Sequence, residues 1–240
     1  MKPKSNTLFH FTKSLDVVKS ILKEGFWPRF CLEDMCWYRS QDMPYIALPI
    51  ACFCDIPLSR IDEHVGFYGE YGLGVTREWA MNNGLNPVMY VSEQSSVADS
   101  IRRQSHLNEP RSKGMLDFIN IVSHVKPVKG NMFGPTGEVV KDFYQENEWR
   151  FYAKTDYENS FLYEEQFNDK QCLENANAYT KQHCSLFIGP EDIKYIFVKS
   201  DHCIPEIINY IQTELDHLSG VNQKLLMSRV ISLESITEDL

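Results

Sequence analysis

The chain has 240 residues and, with 33 acidic against 24 basic side chains, a formal charge of -9. That balance argues against unspecific grip on nucleic acid or anionic membrane, both of which rely on surplus Lys and Arg. The start, MKPKSNTLFHF, lacks the apolar core of a signal peptide. No stretch reaches the roughly 18 apolar residues of a membrane span, so the sequence reads as cytoplasmic with no membrane partner.

In chain order, TLFHF (7–11) reads as a strand, and Ser14 as the N-cap of a helix carrying Leu15, Val18, Ile21 and Leu22 and closed by Gly25. Residues 28–43, rich in aromatics and Cys, read as a loop. IALPIACFC (46–54) has the continuous apolar run of a central strand, with Pro49 expected to confine its ordered part to the second half. A helix over about 60–68, a strand YGLGVT (71–76), a short helix capped by Thr76 and stopped by Gly84, and a strand PVMYVS (87–92) follow. Two helices are expected over about 95–106 and 115–125, separated by the polar NEPRSKG turn. Residues 126–136 read as extended or irregular, and YQENEWRFYAK (144–154) as a strand. Residues 157–182 read as a polar insertion with a helix near its end. SLFIGPEDIKYIFVKS reads as two strands about a Gly189-Pro190 turn, leading into a helix over 205–218, and the residues from Val221 as one short element. The order implies one mixed α+β domain over 1–240.

Several chemistries are disfavoured by spacing. The glycines of GFYGEYGLG match neither G-x-G-x-x-G nor G-x-x-x-x-G-K-[ST], and no G-x-S-x-G elbow or H-E-x-x-H pair occurs. Seven cysteines, an odd number without framework spacing, fit a reducing compartment. No two matched knuckles of a structural zinc site are present, so no metal is expected and the cysteines read as small buried hydrophobes. The basic series Arg102, Arg103, Arg111, Lys113, Lys126 and Lys129 is thin and interrupted. A metal-dependent nuclease would need Asp55, Glu146, Glu148 and Lys154 gathered, which no spacing enforces.

Two features remain. In a strand over 144–154, Glu146, Glu148 and Arg150 share one face and Trp149 and Phe151 the other. The face is either a solvated one on which Glu148 and Arg150 partly neutralise each other, or a pair of catalytic carboxylates. His10 alternates with Phe9 and Phe11, so it points to a cleft or to solvent if the phenylalanines enter the core; from the residues alone a hydrogen-bonded structural histidine is the favoured reading.

The stretch LFHFTKSLDVVKSILKEGFWP resembles the opening strand and helix of the ADP-ribosyltransferase fold. ACFCDIPLSRIDEHVGFYGEYGLGVTREWAMNNGLNPVMYV, followed by ENEWRFY, is similar to the AbiGi family of abortive phage resistance proteins, over about 8–152 and 188–200. That family is described as the antitoxin half of a two-gene system. The first resemblance implies an ADP-ribosyltransferase-like fold of mixed twisted sheets with flanking helices, taking NAD as substrate. Glu148 would stabilise an oxocarbenium-like centre, a contribution of about 3 kcal/mol by analogy with an oxyanion donor. Glu146, first of the E-x-E pair, would position the acceptor. His10 would bond the ribose, and Tyr71 or Tyr68 would stack on the nicotinamide. Cys52, Cys54 and Asp55 stand where that fold's serine-threonine-serine signature would be. The resemblances together imply a phage-defence protein that transfers ADP-ribose or cleaves NAD, with nucleic acid at most an acceptor. The alternative is a non-catalytic antitoxin or regulatory protein that binds a cognate toxin.

Overall fold

The computed structural model describes residues 6–39, 43–105, 112–134, 137–156, 158 and 160–238. The expected end of the helix at 106, most of the NEPRSKG turn, Arg111, Pro135, Thr136 and Tyr157 lie outside them. The elements are β1 (Thr7–Thr12), α1 (Leu15–Glu24), β2 (Arg29–Asp34), β3 (Tyr45–Cys54), α2 (Ile61–Tyr68), β4 (Tyr71–Thr76), α3 (Arg77–Asn82), β5 (Asn86–Pro87) and β6 (Met89–Val91). Then come α4 (Ser96–Ser105), α5 (Lys113–Val122), β7 (Val125–Pro127), β8 (Lys129–Gly134), β9 (Gly137–Asp142), β10 (Glu148–Tyr152), β11 (Leu162–Tyr163), α6 (Glu164–Asn168) and α7 (Lys170–Cys184). The chain closes with β12 (Ile193–Val198), α8 (Ile204–Glu214), α9 (Gly220–Met227), β13 (Val230–Ser232) and α10 (Leu233–Glu238). The fold is mixed α+β, and the described residues group into two compact units, each with its own core.

The first unit lies within residues 6–26, 53–84 and 186–238. Its strands run in the order β13-β12-β4-β1; β13 is parallel to β12, and the other neighbours are antiparallel. Alternation in β1 sends Phe9 and Phe11 into a core with Ile61, Phe197 and Leu233, as expected. Ser14 caps α1 by accepting the Val17 N–H, and Gly25, at φ 86°, ends it with its N–H on the Ile21 carbonyl. The glycine run that failed the phosphate-loop test has a packing role. A Cβ on Gly72 would lie 2.5 Å from the His10 carbonyl oxygen and 2.8 Å from the Phe11 ring, so glycine lets β4 approach β1.

The second unit lies within residues 27–52 and 85–185. Its centre is β3, whose last two residues already belong to the first unit. Ile46, Leu48 and Ile50 pack under Ala98 of α4 and Phe118, Ile119 and Val122 of α5, while Ala47 faces Phe30, Leu162 and Ala176. Burial on both faces is why the run is continuously apolar. β2, β10 and β11 pair with β3, and β5 pairs with β10. β6 and β7 form a parallel pair, and β8 and β9 an antiparallel hairpin.

Several expectations are corrected. The supposed loop at 28–43 contains β2, where Phe30 is buried and its N–H is accepted by the Asn177 side chain of α7 at 2.9 Å. Pro49 does not shorten β3, since its carbonyl still accepts the Ala153 N–H at 2.9 Å and only the donor is missing. PVMYVS splits into β5 and β6. The first strand expected after Ser185 is only a bridge between Phe26 and Leu186, and the segment from Val221 holds two helices and a strand. The polar stretch 157–182 includes β11, α6 and most of α7, with α7 packed on β2. Among the cysteines only Cys54 is buried; Cys31 and Cys36 are exposed and the others intermediate.

Gly72→Ala is expected to destabilise the protein by about 1–3 kcal/mol through overpacking against backbone. A denaturant midpoint unchanged from wild type would contradict that packing role.

Candidate functional site

The stretch 144–154 is not one strand. Phe143–Glu146 forms a single 3-10 turn, Asn147 ends it in the left-handed region at φ 45°, and only then does β10 begin at Glu148. Asn tolerates that backbone better than most residues, which places the break between the two glutamates. Glu148 and Arg150 therefore share a face and Glu146 reaches the same place from the turn. The face is not solvated: Glu146 is 4%, Glu148 6% and Arg150 0% exposed.

Around them lies a closed set of charges within the second unit. Lys126 of β7 places its ammonium 3.0 Å from Glu146 Oε2 and 2.9 Å from Glu148 Oε2. It also lies 4.2 Å from the Phe143 ring centroid. Arg150 donates from Nε to Glu148 Oε1 at 2.5 Å, from Nη1 to the Ser123 carbonyl at 2.9 Å, and from Nη2 to Glu33 of β2. Lys141 of β9 completes the set by pairing with Glu146 Oε1. Three carboxylates thus face three cations. The Tyr90 hydroxyl accepts the Glu148 backbone N–H at 2.8 Å.

The titration behaviour follows from this geometry. Burial pushes the Glu148 carboxyl up, but Arg150 and Lys126 outweigh it and hold it well below the usual carboxylate range. Glu146 is lowered in the same way, burial being overcome by Lys126 and Lys141. Burial lowers Lys126, but Glu148, Glu33 and Glu146 raise it further, so it stays charged. His124, next to the carbonyl that Arg150 holds, is lowered by burial and by the Arg150 charge.

The other expected site residues fall in the first unit. His10 is half-buried on the face opposite Phe9 and Phe11, as alternation implied. That face is packed, with the Phe26 and Phe53 rings 5.3 and 5.4 Å from the His10 ring. Tyr71 places its hydroxyl 3.8 Å from the Cys203 sulfur, and Tyr68 packs 4.4 Å from the His64 ring. Asp55 forms a pair with Arg77 at 2.8 Å. Neither unit by itself brings His10 and the tyrosines together with the glutamates. Glu33 went unnoticed because its segment read as a loop, and Lys126 because it looked like one member of a weak basic series. The only local sign was a single Lys inside the apolar VKPV. Among the described residues no group of three or more His, Cys, Asp or Glu could hold a metal, and no helix is long and apolar enough to cross a membrane.

Comparison with known proteins agrees with the sequence in one respect. Residues 24–199 match the family model described as "Putative abortive phage resistance protein AbiGi, antitoxin". A protein of Lactococcus lactis subsp. cremoris named "Abortive phage resistance protein AbiGi" is 26% identical over 223 residues, covering 80% of this chain and 88% of the relative. No solved structure matches. The chain belongs to the AbiGi family of abortive phage resistance proteins.

Arg150→Ala leaves Glu33 without its cation and Glu148 with Lys126 alone, and is expected to cost about 3–5 kcal/mol of stability. Equilibrium denaturation that places the variant within error of wild type would contradict a closed cluster. The pH dependence has a definite sign. A carboxylate lowered by folding contributes stability above its ordinary range and loses it as pH falls toward the folded value. Wild-type stability should therefore drop between about pH 5 and pH 2, and less steeply in Glu148→Gln.

Proposed function

We propose that the protein serves phage defence as a non-catalytic antitoxin or regulatory component, acting by binding a cognate toxin. The observation that carries this reading is the state of Glu148. One carboxylate oxygen takes the Arg150 Nε–H and the other the Lys126 ammonium, in a side chain only 6% exposed. A carboxylate stabilises a cationic centre by approaching it, and Glu148 already faces two cations. Family membership supports the reading through the antitoxin description of the family model.

The alternative keeps the ADP-ribosyltransferase fold and NAD as substrate, with Glu148 and Glu146 catalytic and His10, Tyr71 and Tyr68 around the nicotinamide ribose. It requires Glu148 to leave Arg150 and Lys126, a change that uncovers buried charge and costs several kcal/mol. Purified protein incubated with NAD, with and without lysate from phage-infected cells, is expected to release no nicotinamide. Co-expressed with the second gene product of its system, it is expected to co-purify with that product. Nicotinamide release that vanishes in Glu148→Gln while fold and partner binding persist would overturn the proposal in favour of the transferase.

A further inference from the structure

The second unit also holds a cavity of about 420 Å³ lined by residues that include Asp34, Ser92, Glu93, Lys129 and Asn131. That volume falls in the range of small-molecule sites, roughly 300–1,000 Å³. We infer that this cavity binds a small organic anion, one carrying a carboxylate or phosphate on an apolar body.

Its wall is fixed before any ligand arrives. The Asp34 carboxylate accepts the backbone N–H of Cys36 and that of Asn131, both at 2.7 Å, tying the end of β2 to β8. A Cβ on Gly130 would lie 2.6 Å from Asp34 Oδ2, so glycine is needed for this approach.

The unfilled donors select the ligand's sign. Asp34 already accepts two backbone N–H groups. Glu93 is paired with Arg39 at 3.0 Å, and its carbonyl is held by Arg102. Among the described residues, the Lys129 ammonium, the Ser92 hydroxyl and the Asn131 side-chain amide have no protein partner. With the buried Trp37 indole N–H, which also lacks a partner, the lining therefore holds one ammonium and three neutral groups able to donate to oxyanions, while both of its carboxylates are already engaged. Trp37, Val91, Pro127 and Val128 supply apolar lining for the rest of the molecule.

Benzoate and AMP separate the two headgroups while sharing a flat body. Titrated into the full chain with amide and indole N–H resonances observed by NMR, at least one is expected to shift the signals of Lys129–Asn131 and Trp37 saturably. Lys129→Glu is expected to weaken that binding about tenfold or more. The control Lys199→Glu alters an exposed lysine of the first unit, where it pairs with Glu70, and should leave binding unchanged. Denaturation midpoints of both variants check that each is folded. No saturable shift with either probe up to about 10 mM, or equal affinity in a folded Lys129→Glu protein, would overturn the assignment.

Discussion

The second unit depends on one fully buried guanidinium. Arg150 is 0% exposed, cannot deprotonate, and so must meet anions wherever the chain folds. It meets Glu148 on its own strand and Glu33 on β2, and Glu148 in turn holds Lys126 on β7. Through Glu146 the same cluster takes in Lys141 on β9. Four strands and a turn are thus tied together by these charges. Such a cluster is weak evidence of net stability, because desolvation offsets most of the Coulomb gain, but a missing partner is severely penalised. We regard its role here as conformational specificity, holding β10 in one position beside β3 and β5.

How much of this was legible depends on distance along the chain. Features set by neighbours in sequence were readable: the Ser14 cap, the Gly25 stop, the period-2 alternation of β1 and the apolar run of β3. Features that depend on remote partners were not. β2 owes its order to pairing with β3 and to an Asn side chain 147 residues away in sequence, so its aromatics and cysteines read as a loop. The glutamates of ENE looked like either a solvated face or a catalytic pair. The actual arrangement needed Lys126, Lys141 and Glu33, none of which lies within four residues of them. Asn147, whose left-handed backbone breaks the strand between the glutamates, was the one local clue to their unequal placement.

The same contrast bears on function. The E-x-E spacing has a transferase look in sequence, yet spacing says nothing about which cations stand opposite the carboxylates. His10 shows the same limit: alternation placed it on the face away from Phe9 and Phe11, but only the fold reveals Phe26 and Phe53 against its ring. The proposed binding role rests on family membership and on the closed cluster together.

The most direct test removes one balanced pair from the cluster. Glu148→Gln with Lys126→Met leaves Arg150 with Glu33 and Lys141 with Glu146, so no buried charge is stranded. Phage plating on cells carrying this double variant together with the second gene of the system is the measurement to make, with near-ultraviolet circular dichroism to confirm its fold. Retained protection by a folded double variant is the result that a structural cluster predicts. Complete loss of protection in a folded variant that still binds its partner would contradict it and return Glu148 to a catalytic role.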